Sequence, residues 1–574
     1  MILPIVRRQL CQAQLTDSLH PVIERIYRGR HVQSMDDLET GLRALLHYND
    51  LKDMDRASAL LSDAVQSQRK VVIVGDFDAD GATSTAVCML ALRQMGLSNL
   101  DYLVPNRFDF GYGLSEPLVD VAAGQGAELL ITVDNGIACL DGVARARALG
   151  MQVIVTDHHL PAETLPDANA IVNPNQTDCH FASPSIAGVG VAFYLMLATR
   201  AHLQQAGWFA SQGITAPNLA ELLDIVAVGT VADVVRLDKN NRILVHQGLQ
   251  RIRSGKCRPG IKALIEVAGR VPANLTSTDL GFVIGPRLNA AGRLDDMALG
   301  IACLTEDDAM QARMMAAELD SLNKARRDIE KGMKEEAMQV VDSLTLDSGE
   351  LPPALVVYKP DFHQGVIGIV AGRIKEKYLR PAIAFANADE TTLKGSARSI
   401  DGVHIRDLLD EINTRYPGVI EKFGGHAMAA GLSIPAEKLN AFQQAFEEVA
   451  ARYLARLDDE SVLLSDGELS SAELTLPFAR QLRGEGPFGQ GFEAPLFDGV
   501  FALVSQRIVG QHHLKLVLRH ADGEEVDGIA FNVDTARWPD KQVAQVRVAY
   551  RLDVNLFRGN ETVQLLVEQI EPYA

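Results

Sequence analysis

Residues 76–80 read Asp-Phe-Asp-Ala-Asp, and Gly81 follows. Three carboxylates at alternating positions repel one another unless cations sit among them. They come directly after Val71-Val-Ile-Val-Gly75, an apolar run of strand composition. Two more segments have the same form. Leu129-Leu-Ile-Thr-Val133 runs into Asp134-Asn-Gly136, and Gln152-Val-Ile-Val-Thr156 runs into Asp157-His158-His159. A fourth element, 219–228 with Gly229-Thr-Val-Ala after it, ends in Asp233. Oxygen-rich donors with one or two histidines suit manganese or magnesium better than zinc or copper. Several shared carboxylates suit two ions, about 3.5–4 Å apart, serving in-line attack on phosphorus.

Simpler readings exist for each piece. Asp-x-Asp-x-Asp-Gly also opens a calcium-binding EF-hand loop, which needs a Glu at its twelfth position and a helix before it. Counted from Asp76 the twelfth residue is Val87, and the preceding segment is a strand. A solvated acidic turn, or a structural His-His pair, explains one cluster at a time. Four acidic clusters at element ends in one α/β unit are hard to obtain that way.

The elements that must position these side chains follow from the pattern of the chain. Strands alternate with helical stretches such as 81–95, joined by short loops, which implies a parallel, doubly wound sheet. In such a sheet the chemistry lies at the C-terminal ends of the strands. Before it, residues 1–65 read as helical, with Leu and Ala three and four apart over 38–61. Residues 306–344 contain no Pro and one Gly, so they form one long helix of about 55–60 Å. A second α/β region follows, with strands at 354–358 and 382–385 around a helix at 366–378. From about 458 the text turns to alternating strands, such as 514–518 and 546–550, that suit a small β-barrel. The expected division is 1–65, 66–304, 305–345, 346–457 and 458–574.

The 574 residues are ample for several cores, with 47% hydrophobic content. No apolar run approaches the roughly 18 residues of a membrane span, and the N-terminus lacks the order of a secretory signal. The six cysteines are scattered without a Cys-x-x-Cys pair, as in a reduced cytoplasmic protein. The net charge of −19 argues against a general polyanion binder. Any nucleic-acid role then needs placed cations and metal ions.

Asp76-Phe-Asp-Ala-Asp-Gly81, Val133-Asp-Asn-Gly136, Asp157-His158-His159 and Asp233 resemble the four motifs of the DHH phosphoesterase superfamily. Gly424-Gly-His426-Ala-Met-Ala-Ala-Gly431 resembles the signature of the DHH-associated domain. Gly285-Pro-Arg-Leu-Asn-Ala-Ala-Gly-Arg293 and Gly486-Pro-Phe-Gly-Gln-Gly-Phe-Glu-Ala-Pro495 extend the likeness over roughly 70–570, toward the branch that digests single-stranded DNA from its 5′ end. The resemblance implies a DHH-type parallel-sheet domain, a connecting helix, a DHH-associated α/β domain and an OB-like barrel. It implies two Mn2+ or Mg2+ ions on Asp78, Asp80, Asp134, His158 and Asp233, with Asp134 bridging. Asp76 is a further ligand or a support behind them. His159 would act at the scissile phosphate, stabilising charge or protonating the leaving oxygen. Asp157 orients its loop or simply caps it.

The same resemblance places substrate on the second lobe. Ser396 and Arg398 would anchor a terminal 5′ phosphate, for which the planar guanidinium is suited. Gly424 and Gly425 permit close backbone approach beside His426, and Arg287, Asn289 and Arg293 are further candidates. His363 to Gly368 opens a helix that either attracts phosphate or only packs. The charged residues Lys324, Arg326, Arg327, Lys331 and Lys334 form a solvated helix face. On the barrel, Lys515, Arg519, Arg551 and Arg558 could meet a strand, whereas Phe531 and Phe557 are expected in the core and His512-His513 in a loop. The implied activity is 5′-to-3′ exonuclease digestion of single-stranded DNA to 5′-mononucleotides in recombination and repair. A single-strand binding protein and a RecQ-type helicase are implied partners. The alternatives are a DHH phosphodiesterase of short RNA or cyclic dinucleotides, a pyrophosphatase of the same superfamily, or a non-catalytic replication scaffold. The first two do not need residues 458–574, and the filled ligand positions disfavour the third.

Overall fold

A computed structural model describes residues 3–16, 18–105, 113–348, 351–455, 462–557 and 559–573, with 343–348 and 557 as backbone only. The chain divides into two compact units. One contains 1–288, 297–317 and 461–574, and the other contains 289–296 and 318–460.

The first unit is built on a five-stranded parallel sheet. Its order is Leu100–Leu103, Val71–Gly75, Leu129–Val133, Gln152–Thr156, Ala170–Val172. Val71–Gly75 and Leu129–Val133 are buried at every residue, as expected of strands covered on both faces. Burying one such Val side chain contributes about 1.5–3 kcal/mol. Register decides the rest. Gly75 pairs with Val133, and Val133 with Thr156. The three strands therefore end flush, and Asp76, Asp134 and Asp157 leave the sheet at one edge.

The N-terminal segment departs from the helical expectation. Over 38–61 the α-helix occupies only the stretch from Met54 onward, as Met54–Gln66. Short 3₁₀ turns at Met35–Leu38, Leu42–Ala44 and Tyr48–Asp50 precede it. Distant partners hold that stretch open: Asn240 Oδ1 accepts from the Leu46 amide at 3.1 Å, and Gln247 Nε2 donates to Thr40 O at 2.8 Å. Farther forward, Ile5–Arg7 is a strand, paired in parallel with Leu463–Ser465. Arg30 and Asp466 form a buried ion pair at 2.7 Å between the same two segments. Removing one partner of such a pair costs about 3–5 kcal/mol.

The C-terminal strands Phe497–Val509, His513–Arg519, Glu525–Ala530, Asn560–Pro572 and Gln545–Phe557 close into a barrel in that order. His513 thus begins a strand instead of lying in a loop. The expected core position of Phe531 is also not found, since this side chain is 55% exposed. Its ring meets the edge of His513 at 5.1 Å. A sequence window of apolar alternation cannot tell that the strand ends at Ala530, one residue earlier.

In the second unit, five strands run in the order Lys422–Gly425, Ala429–Pro435, Thr392–Arg398, Ala382–Asn387, Leu355–Tyr358. Only the last two pair in parallel. Ile405–Arg415 and Leu439–Leu454 cover one face through Leu408, Ile412, Phe442 and Phe446. Ile367–Tyr378 covers the other, together with Met333, Ala337 and Val341 of the long helix. That helix spans Ala309–Ser348.

Candidate metal centre and phosphate pocket

Each carboxylate at the sheet edge is positioned by a different local device. Asp78 caps the helix Ala79–Gln94, its Oδ1 accepting from the Asp80 and Gly81 amides at 2.9 and 3.0 Å. Asp76 Oδ1 accepts from the Phe77 amide at 2.8 Å. Asp80 is buried at the start of the same helix and faces the N-terminus of another, Gly188–Gln205. The Gly188 and Val189 amides donate to its two oxygens at 2.7 and 2.8 Å. Helix N-termini favour anions. Gly188 is needed for this fit, because a Cβ there would lie 2.7 Å from Asp134 Cβ and Oδ1.

Asp134 has φ +61, a conformation costly for a non-glycine residue and frequent at functional sites. Asn135 holds it there, its Nδ2 donating to Val74 O and Val133 O at 3.0 and 2.9 Å. Asp233 closes the C-terminus of Leu223–Ala232. A carboxylate at that helix end meets the negative pole of the dipole, so unlike Asp80 it is opposed by its own helix.

His158 joins these groups. Its Nε2 lies 3.1 Å from Asp134 Oδ1, 3.4 Å from Asp233 Oδ2 and 3.9 Å from Asp80 Oδ2. Three sets of donor atoms converge closely enough to share an ion: Asp76, Asp78 and Asp134; Asp80, His158 and Asp233; and Asp134, His158 and His159. Burial and mutual repulsion raise the carboxylates' pKa values. Asp80 rises to about 7 through burial and then Asp78. Asp134 and Asp233 rise well above the ordinary range through burial and then Asp80.

Asp157 behaves oppositely. Burial raises its pKa, but the hydrogen bond and charge of His159 outweigh this and lower it. Its Oδ1 accepts from His159 Nδ1 at 2.7 Å and from the His158 and His159 amides, and its Oδ2 from the Ile137 amide at 2.9 Å. For His159, burial lowers the pKa, yet Asp157 and then Asp76 and Asp78 raise it to about 9. Two residues absent from the sequence reading steady this loop. Asn173 Nδ2 donates to His159 O at 2.9 Å, and Asn175 Nδ2 to His158 O at 2.6 Å. No local signal marks them, because they reach the loop from beyond the next strand. Gly188-Val-Gly190 could have been noticed as glycines opening a helix.

In the second unit, Arg398 Nη1 donates to Ser396 Oγ at 3.0 Å and to Ala397 O at 2.8 Å. The first turn of Ile367–Tyr378 lies against them. A Cβ on Gly368 would fall 2.7 Å from Arg398 Nη2 and 2.8 Å from Ser396 Oγ. A guanidinium, a hydroxyl and a helix N-terminus are thus gathered together, a combination suited to phosphate. His363 Nδ1 accepts from the Gly365 amide at 3.1 Å, and Arg293 Nη1 donates to Gly365 O at 2.9 Å, so Arg293 braces this loop. Gly424 and Gly425 pair with Gly431 and Ala430. Gly425 has φ +148, and a Cβ there would clash with the Ala430 backbone. The His426 amide donates to Ala429 O at 2.8 Å and closes the hairpin. In the first unit, Arg287 is buried and its Nη1 donates to Val283 O at 2.6 Å. Asn289 follows on the helix Gly285–Leu294.

The barrel cations face acids. Lys515 Nζ is 2.7 Å from Asp527 Oδ2, Arg519 Nη2 is 2.7 Å from Glu525 Oε1, and Arg551 pairs with Glu568. Arg558 lies outside the described residues, and so does the side chain of Phe557. On the long helix Lys324 pairs with Asp320 and Arg326 with Glu330.

Comparison with known proteins agrees with this geometry. The DHH family N-terminal domain matches residues 70–230, the DHHA1 domain 352–452 and the RecJ OB domain 465–569. The chain is 55% identical over 567 residues to the single-stranded-DNA-specific exonuclease RecJ of Dickeya dadantii (strain 3937), covering 99% of this chain and 98% of that one. Identity to the protein of the same name from Escherichia coli (strain K12) is 54% over 561 residues, covering 98% and 97%. The crystal structure of RecJ in complex with Mn2+ from Thermus thermophilus superposes with a TM-score of 0.80 at 28% identity. It covers all of this chain and 80% of that one.

Proposed function

The chain belongs to the RecJ family of single-stranded-DNA-specific exonucleases, and on that premise we propose that it hydrolyses single-stranded DNA from the 5′ end, releasing 5′-mononucleotides with two divalent metal ions. The observation that carries this reading is the convergence of Asp76, Asp78, Asp80, Asp134, Asp233 and His158 at one sheet edge. The donor set fits Mn2+ or Mg2+: it is all oxygen and imidazole, and its carboxylates Asp134 and Asp233 hold raised pKa values that a cation would reverse. The relative from Thermus thermophilus has been crystallised with each of these ions. Asp78, Asp80, Asp134, His158 and Asp233 would hold them, with Asp76 beside them. The chemistry such ions supply is charge neutralisation at the phosphate and a nucleophilic water near neutral pH.

The chain's own residues do the rest. Asp157 orients His159 and keeps it protonated, so that His159 can donate a proton to the leaving oxygen or offset its charge. Ser396 and Arg398, with the helix start at Gly368, hold the terminal phosphate and thereby set polarity. Gly424, Gly425 and His426 present backbone and imidazole to the strand, and Arg287, Asn289 and Arg293 support it. Neither pocket reads base edges, which fits a sequence-tolerant nuclease.

The reading extends to DNA recombination and repair in the cytoplasm. No helix among the described residues is long and apolar enough to cross a membrane. A single-strand binding protein and a RecQ-type helicase belong to the same proposal, on resemblance alone. The test is to incubate the protein with Mn2+ and 5′- or 3′-labelled strands, single or duplex. Immediate release of the 5′ label from single strands alone is expected. Release of the 3′ label first would refute the polarity, and equal digestion of blunt duplex would refute the strand specificity.

A further inference from the structure

Large apolar side chains exposed one at a time are ordinary on protein surfaces. Three here adjoin elements that carry the metal-centre residues. Leu160, 64% exposed, follows His159, and Val234, 65% exposed with φ +60, follows Asp233. Phe282, 76% exposed, lies on a turn packed against the helix that ends in Asp233. That turn, Leu280–Ile284, is π-helical, a form that recurs at functional sites.

The packing of the turn is close. A Cβ on Gly281 would lie 3.1 Å from Val231 Cγ1, and one on Gly285 would lie 3.0 Å from Ala232 Cβ. Arg287 Nη1 donates to the carbonyl of Val283 within the same turn. The backbone beneath Phe282 is therefore fixed from two sides while its ring is left in solvent. Among the described residues no aromatic ring stacks on this exposed side chain, and an unpaired base offers a flat apolar face to it. Stacking on an aromatic ring tolerates every base. In a duplex the same face is already stacked on its neighbours.

We infer that Phe282, on the turn packed against the helix that ends in Asp233, stacks on the unpaired base of a nucleotide next to the scissile phosphate and so sets the register in which the strand enters the metal centre. The inference rests on the exonuclease reading above and adds a specificity-determining residue to it. It leaves the chemical step to the carboxylates and His159. Phe282 acts through KM and through the base, not through the phosphate.

The test uses the full chain with Mn2+ and 5′-phosphorylated strands carrying one abasic residue at successive positions, read as product ladders. The wild-type protein should pause about tenfold at the step where the missing base would face Phe282. Phe282→Ala should raise KM for intact strands about tenfold, with kcat little changed, and should show no additional pause at the abasic residue. Phe282→Trp should restore the pause. Because Phe282 is mostly exposed, circular dichroism and melting of the variants should match wild type. An abasic pause of equal size in wild type and Phe282→Ala overturns the inference while leaving the exonuclease reading intact. A wild-type protein that releases no nucleotides overturns the exonuclease reading, and the inference with it.

Discussion

At the candidate metal centre, Asp80 and Asp134 are buried and Asp233 half-buried beside charges of their own sign, and their pKa values rise. On the barrel, Lys515, Arg519 and Arg551 each stand opposite an acid. The first region is electrostatically incomplete and calls for cations. The second is already balanced, and exposed pairs of that kind contribute little, about 0–1 kcal/mol. A like-signed buried cluster therefore points to a ligand, whereas a row of cations with partners does not by itself mark a DNA groove. The contrast also bears on how a chain of net charge −19 can take a phosphate-rich substrate. Metal ions and a few placed arginines can meet the phosphates where the reaction occurs.

The largest effect expected from this contrast is at Asp134. Asp134→Asn should lower nucleotide release by about 10³-fold or more, as loss of a group that organises transition-state charge does. The same substitution should raise the melting temperature of the chelator-treated protein, because it removes a buried repelling charge. A variant that is inactive and also less stable without metal would break the like-charge account. His158→Ala should be comparably inactive by the same assay, and Mn2+ titration by electron paramagnetic resonance should show weakened binding.

The next effect is on stability against pH. In the metal-free protein these carboxylates have pKa values raised above the unfolded value of about 4. Their contribution is fully present below that value and is lost as pH rises through the folded value, about 7 for Asp80. Melting in chelator should therefore fall between about pH 5 and about pH 8, and Mn2+ should stabilise more at the higher pH. Equal stabilisation at both would refute the coupling.

Arg398→Ala should have a smaller effect, reducing the preference for a 5′-phosphorylated end by about 10- to 100-fold, since a charge-assisted contact is worth about 1.5–3 kcal/mol. Equal loss on phosphorylated and unphosphorylated strands would count against the anchor. The smallest effect is expected on the barrel. Lys515→Ala should change affinity for long single strands less than about threefold, because Asp527 already holds the ammonium. A loss above tenfold, with a shallower salt dependence, would show that the pair opens to phosphate.

Much of the site was legible because its signals are local. Strand composition followed at once by Asp76, Asp134 or Asp157 places those residues at strand ends, and strand ends in a parallel sheet share an edge. The helix read over 81–95 begins earlier, at Ala79, with Asp78 as its cap, a role the sequence reading did not assign. The illegible parts are long-range. The Leu and Ala spacing over 38–61 gave no warning that Asn240 and Gln247 would hold part of it in tight turns. Ile5–Arg7 is a strand only because Leu463–Ser465 lies beside it. Phe531 stands in solvent because its strand ends one residue earlier, at Ala530, so the alternation that would have buried it stops there.

The sequence by itself determined the chemistry available: acids and imidazoles at element ends, few thiols, and an arginine and serine two residues apart on one strand face. Composition and spacing specify these because they act over a few residues. Tertiary structure alone decided which groups are coupled. The flush register of three strands, the amides of Gly188 and Val189 on Asp80, the opposing dipole behind Asp233 and the exposed ring of Phe282 depend on segments far apart in the chain. Burial and electrostatic coupling act through space, and only the folded chain sets those distances.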